Sequence, residues 1–232
     1  MNVDPNEIQK FEALAHRWWD PEGEFRPLHD INSTRLKYID DHAALSGLDV
    51  LEVGCGGGIL TQSLAELGAV TTGIDVAPGP LKVAQMHAIE TQMGEKIRYM
   101  ETTAESFAKI EPESFDVVAA LEMLEHVPDY RSTVCALAQL TRPGGKVFLS
   151  TINRNSKAYL TAVLGAEYVL NILPRGTHEY AKFIKPSELA SAVRDAGLLV
   201  KDIRGYSYNP LTRGCKLITN PAVNYLVYAQ KS

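Results

Sequence analysis

The chain has 232 residues and a formal net charge of -5, a length that suits a single core with an insertion or two. Its acidic balance, with no long basic run, argues against nucleic acid as a partner. Cys55, Cys135 and Cys215 are odd in number and dispersed, which fits reduced thiols in a cytoplasmic protein rather than a disulfide framework. No basic-then-apolar leader opens the chain, so no signal peptide is expected, and no uninterrupted apolar stretch is long enough to span a bilayer.

The first element is a helix. Asp4-Pro5-Asn6-Glu7 supplies a cap with proline in the first turn, and Phe11, Leu14, Ala15 and Trp18 then fall on one face. Such a helix either packs on the core or lids a ligand, with Trp18, Trp19 and Phe25 excluding water. Next comes the strand pattern Val50-Leu51-Glu52-Val53, the loop Gly54-Cys55-Gly56-Gly57-Gly58 and a helical pattern through Ile59, Leu60, Ser63, Leu64 and Leu67. Strand, glycine turn and helix form the nucleotide-type cofactor site of doubly wound α/β domains. A dinucleotide is disfavoured because Ile59 stands where the third glycine belongs. A P-loop is excluded, since no Lys-Ser or Lys-Thr follows the glycines. The Glu52 carboxylate before the loop would repel phosphate and favour a cation. S-adenosylmethionine has both an adenosine end and a cationic centre.

A second strand, Val70 to Asp75, ends in a carboxylate about 20 residues past the loop, where an acid can accept hydrogen bonds from both ribose hydroxyls. Further strands are expected at Ile97 to Met100, Phe115 to Leu121, and Lys146 to Thr151 after the turn Arg142-Pro143-Gly144-Gly145. Helical patterns alternate with them, which predicts a mostly parallel sheet covered on both faces. Leu198 to Ile203 and Ala222 to Ala229 add two strand patterns, with Asn209-Pro210 and Asn220-Pro221 between them.

Two resemblances rest on these residues. Glu52 to Gly58, Gly73-Ile74-Asp75, Phe115-Asp116-Val117-Val118 and Arg142-Pro143-Gly144-Gly145 resemble successive motifs of class I S-adenosylmethionine-dependent methyltransferases. A narrower likeness covers nearly the whole chain. Its residues are Phe11 to Asp20, Leu28 to Asn32 with Arg35, Leu121 to Val127, Thr151 to Asn155, Gly165 to Tyr168, Arg175 to His178, Lys182 to Pro186, and Tyr208 to Pro210. Together they resemble the ubiquinone-biosynthesis O-methyltransferases. That likeness implies methylation of a ring hydroxyl on polyprenylated phenol and quinol intermediates, a polyprenyl hydroxyphenol and 3-demethylubiquinol, at two steps. It also implies a Rossmann-like, doubly wound sheet of seven strands with an antiparallel C-terminal edge pair. Within one methyltransferase domain, residues 1–47 would be a helical lid and 48–152 the cofactor core. Residues 153–186 would form an apolar insertion facing substrate and membrane, and 187–232 would complete the sheet. A small-metabolite N- or C-methyltransferase of the same fold is the alternative.

Candidate site residues follow. Glu52, Gly54, Gly56, Asp75 and Leu121 would meet the cofactor. By resemblance, Arg35 matches the arginine that would hold its methionine carboxylate, a job suited to a guanidinium fork; spacing alone does not support that role, and the other reading is a surface helix arginine in a weak salt bridge. Glu122, Glu125 and His126 place two carboxylates and an imidazole within one turn at the end of the fourth strand, where open α/β sheets bind ligands. They are the candidate catalytic residues. The same three could ligate magnesium, manganese or zinc that a catechol would chelate, or could be a solvated helix start. The base that ionises the phenol is His126, a metal acting on the hydroxyl, or both, with His178 and Tyr180 as further candidates. Tyr206 and Tyr208 would line the pocket or pack. The run Ala158 to Leu173 is apolar with Glu167 as its only charge, and Arg175, Lys182 and Lys185 follow. It reads as a buried helix or as a surface that admits a polyprenyl tail and leans on an anionic membrane. The expected setting is therefore cytoplasmic and peripheral to the inner membrane face, with other ubiquinone-biosynthesis proteins as further partners.

Overall fold

A computed structural model describes residues 2–158 and 180–232. The chain opens with α1 (Pro5–Leu14), capped by the Asp4 side chain, which accepts from the Asn6 N–H at 3.0 Å. Next is α2 (Arg26–Ala43). Strands and helices then alternate: β1 (Asp49–Val53), α3 (Ile59–Glu66), β2 (Val70–Asp75), α4 (Pro78–Glu90), β3 (Ile97–Glu101), α5 (Ala104–Phe107), β4 (Phe115–Leu121), α6 (Tyr130–Leu140) and β5 (Thr141–Ile152). After the turn α7 (Ser156–Ala158), α8 (Pro186–Asp195) leads into β6 (Leu198–Asn209), β7 (Gly214–Ile218) and β8 (Asn224–Lys231).

The strand order is β3-β2-β1-β4-β5-β8-β6-β7. The first five strands are parallel, and β8, β6 and β7 close the sheet antiparallel. The chain winds outward from β1 in both directions, so a crevice opens between the carboxyl ends of β1 and β4, the switch point where such sheets bind ligands.

Alternation along the central strands builds the two core layers. Leu51, Val118, Ala120, Val147 and Leu149 face a cluster with α6 and α8, including Leu137, Leu140, Leu189 and Val193. Val50, Val117, Ala119, Leu121 and Phe148 face the other way, against Ile31, Tyr38 and Ile39 of α2 and Leu60 and Leu64 of α3. Because both faces are covered, β4 reads as an almost unbroken apolar run.

Two expectations need correction. Among the described residues the sheet has eight strands, not seven. The extra one, β7, pairs with β6 in the register Gly205↔Ile218 to Asn209↔Gly214, so the antiparallel edge has three strands rather than two. β5 also begins earlier than Lys146. It pairs from Thr141, and the Arg142-Pro143-Gly144-Gly145 segment is a bulge in its ladder with β4.

Candidate active site

The loop after β1 turns sharply enough that Gly54 and Gly56 sit at φ 73 and 51, where side chains cost energy. A Cβ on Gly56 would run into the Trp18 indole. The N-terminal segment thus rests directly on the glycine loop. Trp18 stacks on Phe25 with ring centroids 3.9 Å apart, a geometry that contributes about 0.5–1.5 kcal/mol beyond burial. Trp19 stacks on His87 of α4 at 3.5 Å and donates its Nε1–H to the Gly57 carbonyl at 2.9 Å. Glu12 of α1 accepts from the Gly79 N–H at the start of α4, at 2.6 Å.

Under this cover lies a cavity of about 1130 Å³, open solvent at its mouth included. Its lining brings together Glu7 and Phe11 of α1, Trp18, Arg35 of α2, Glu52 of β1 with Gly54 and Gly56 after it, Asp75 at the end of β2, and Leu121 at the end of β4 with Glu122 and His126 after it. The cofactor residues expected from sequence therefore share one wall system.

Arg35 is only 4% exposed. Its Nη2 makes two long hydrogen bonds, 3.4 Å each, to the Leu28 carbonyl and Asn32, and its buried Nε has no partner among the described residues. A buried guanidinium so incompletely paired calls for an anion. The surface-arginine reading is thus set aside. Glu52 is buried beside it and accepts from the Thr61 hydroxyl. Burial pushes its carboxyl up to about 7, against the lowering effects of Thr61 and the Arg35 charge. Asp75 accepts from the Gly56 N–H at 2.8 Å and the Ala77 N–H at 2.9 Å, which ties it to the loop it serves. Burial raises its pKa, and those backbone bonds oppose the rise. An anion-seeking Arg35, an acid able to meet a cation and a second acid at the end of β2 fit the carboxylate, the cationic centre and the ribose of S-adenosylmethionine.

The segment after β4 carries a 3-10 turn, Leu124–His126; it holds Glu125 and His126, while Glu122 precedes it, so the three candidate catalytic residues do not share one helical turn. Their side chains bond to different partners. Glu122 has φ 54, a strained backbone for a residue with a side chain. Its Oε1 accepts from the Ser150 hydroxyl at 2.7 Å and from the Tyr206 hydroxyl. Glu125 is buried behind the cavity wall and accepts from Thr151 at 2.8 Å; burial and the Glu122 charge raise its pKa. His126 pairs through Nδ1 with Glu7 Oε2 at 2.8 Å. Burial would lower the His126 pKa, but the Glu7 bond and the Glu125 and Glu7 charges raise it overall. No group of three His, Cys, Asp or Glu among the described residues is arranged to hold a metal ion. Each of the three expected ligands holds a different partner, Ser150 and Tyr206 for Glu122, Thr151 for Glu125 and Glu7 for His126.

Tyr206 and Tyr208 do not line the cavity. Tyr206 braces Glu122, and Tyr208 donates to Asp30 at 2.6 Å. Tyr180 is half-exposed beside Phe183. His178, Arg175 and the apolar run from Tyr159 lie outside the described residues. The sequence reading missed Glu7, which it used only as part of a helix cap; a contact across 119 positions leaves no local signal.

Fold and site together define a class I S-adenosylmethionine-dependent methyltransferase. The Synechocystis PCC 6803 magnesium protoporphyrin IX methyltransferase, solved with bound SAH, shares the fold at a TM-score of 0.69 and 18% identity, covering 97% of this chain and 100% of that one. Residues 23–201 match the methyltransferase domain family. The ubiquinone biosynthesis O-methyltransferase of Pseudomonas syringae pv. tomato is 59% identical over 226 residues, 97% of each chain. That of Nitrosospira multiformis is 59% identical over 227 residues, 98% of this chain and 94% of its own. The chain belongs to the family of ubiquinone biosynthesis O-methyltransferases.

Proposed function

We propose that the cavity beneath the N-terminal segment is where a ring hydroxyl of a polyprenylated phenol or quinol is methylated, with His126 as the base. The chain is an S-adenosylmethionine-dependent O-methyltransferase of ubiquinone biosynthesis, acting on a quinol-type substrate. The observation that carries the site assignment is that Arg35, Glu52, Asp75 and His126 all line one cavity at the β1/β4 switch point.

Bound S-adenosylmethionine supplies an electrophilic methyl group on sulfur. Arg35 takes its carboxylate, Glu52 faces its cationic end and Asp75 holds the ribose. A phenol has a pKa of about 10 and is protonated at neutral pH. His126 meets that need: with its Nδ1–H donated to Glu7, Nε2 carries the lone pair that accepts the phenol proton. The surrounding carboxylates favour the imidazolium that results. Both described side-chain bonds of Glu122 fall on Oε1, so Oε2 is the atom to receive a neighbouring ring hydroxyl. Phe11, Trp18, Ile59, Leu121 and Met123 exclude water that would otherwise solvate the phenolate.

Residues 1–47 act as the lid, 48–152 hold the cofactor, 153–186 admit the tail and meet an anionic membrane surface at the inner face, and 187–232 complete the sheet. No helix among the described residues is long and apolar enough to cross a membrane.

The base assignment is tested by His126→Ala. Its kcat for quinol methylation should fall by roughly 10²- to 10⁴-fold, with cofactor affinity by calorimetry near wild type. An unchanged kcat would remove His126 from the chemistry.

A further inference from the structure

Arg35 reaches the cavity without a hydrogen-bonded counter-ion among the described residues. Its bonds go to two neutral oxygens, the Leu28 carbonyl and Asn32 Oδ1, each at 3.4 Å, and its Nε has none. Asn32 stands one turn earlier on α2, on the same side of the helix. Asparagine is a poor residue for a helix interior, because its amide competes for backbone groups. Here the amide lies between two side chains instead. A guanidinium only donates, so the amide oxygen faces Arg35 and the amide nitrogen faces α3. Nδ2 donates to Ser63 Oγ at 2.9 Å, and Ser63 donates in turn to the Ile59 carbonyl at 3.1 Å, in the first turn of α3. One amide thus ties the guanidinium to the helix that follows the glycine loop.

We propose that Asn32 is a positioning residue: its neutral amide aims the Arg35 fork at the amino-acid end of the cofactor and leaves the arginine charge free for the carboxylate. This rests on Arg35 taking that carboxylate. The physical reason is competition. A carboxylate in place of the amide would match the guanidinium through a stronger, charge-assisted bond, and would satisfy the arginine before any ligand arrived. An amide gives direction at lower strength. Both bonds to Arg35 are long, so the fork can turn from them as ligand oxygens approach. Ordering the arginine beforehand also lowers the entropy lost on binding. Ser63 sets the sense of the amide, since its hydroxyl hydrogen is directed at Ile59. A reversed amide would place donor against donor at Arg35.

The test is calorimetric, with S-adenosylhomocysteine and methylthioadenosine as probes. The second lacks the amino-acid end and with it the carboxylate. Asn32→Asp keeps the shape of the side chain and an acceptor for Arg35. It should weaken S-adenosylhomocysteine binding by on the order of 10- to 100-fold, and methylthioadenosine binding by less than about twofold. Asn32→Ala frees the fork without adding charge and should weaken S-adenosylhomocysteine by roughly three- to tenfold. In an Arg35→Ala background, Asn32→Ala should change that affinity by less than about twofold. Should Asn32→Ala fail to fold by circular dichroism, Asn32→Asp carries the comparison of the two probes. Wild-type affinity for S-adenosylhomocysteine in Asn32→Asp overturns the inference. A loss shared equally by methylthioadenosine, or one that persists without Arg35, also overturns it, because that is a general disturbance of α2. If Arg35→Ala itself binds S-adenosylhomocysteine as tightly as wild type, the carboxylate reading of Arg35 falls and this inference falls with it.

Discussion

In the cofactor role proposed for it, Glu52 meets two demands that conflict. Its carboxylate must be ionised to attract a cation, yet burial holds its pKa at about 7 in the absence of one. The sign of the resulting pH dependence follows directly. The folded pKa lies above the ordinary carboxylate value, so the neutral acid dominates below about pH 7, and there the cofactor must displace a proton to bind. Cofactor Kd should therefore weaken by about tenfold from about pH 8 to about pH 6. Glu52→Gln should bind more weakly throughout and flatten the profile. A Kd independent of pH in the wild type would mean that Glu52 does not meet the cation. At this scale the sequence was informative for Glu52 and Asp75, because each ends a strand at a fixed spacing from the glycine loop. It was silent on Glu7, whose partner lies on the far side of the fold.

At the scale of elements, the strands buried on both faces were legible and the exposed one was not. β4 announces itself as Phe115 to Leu121, an apolar run bounded by turns. β7, Gly214-Cys215-Lys216-Leu217-Ile218, is a short edge strand with little burial, so no periodic pattern marks it. Its place between two Asn-Pro dipeptides was the available hint. The apolar insertion is the other element of consequence. Of its basic flank, Lys182 is turned toward Asp4 and Glu7, whereas Lys185 is exposed. The membrane contact proposed for this segment would then draw less on its basic flank than three free cations would supply. Flotation with anionic vesicles should show binding at low salt that weakens, without vanishing, as salt rises. Absence of binding at low salt would remove the membrane from the account.

Across the whole molecule, the sheet reversal between β1 and β4 places one cavity within reach of every group the proposed mechanism uses. The N-terminal segment covers it through Trp18 and Trp19, α2 delivers Arg35, β1 and β2 deliver Glu52 and Asp75, and the turn after β4 delivers His126. The cofactor half of this arrangement could be read along the chain because its motifs are local. The acceptor half could be read only as a cluster, Glu122 to His126. Its actual wiring to Ser150, Thr151, Tyr206 and Glu7 required the fold. Methyl transfer from labelled S-adenosylmethionine to a short-tailed catechol tests the central claim most directly. The account predicts label in a ring methoxy group, formed by the wild-type protein. Tight cofactor binding with no transfer to the ring oxygen, or label on carbon or nitrogen instead, would contradict it.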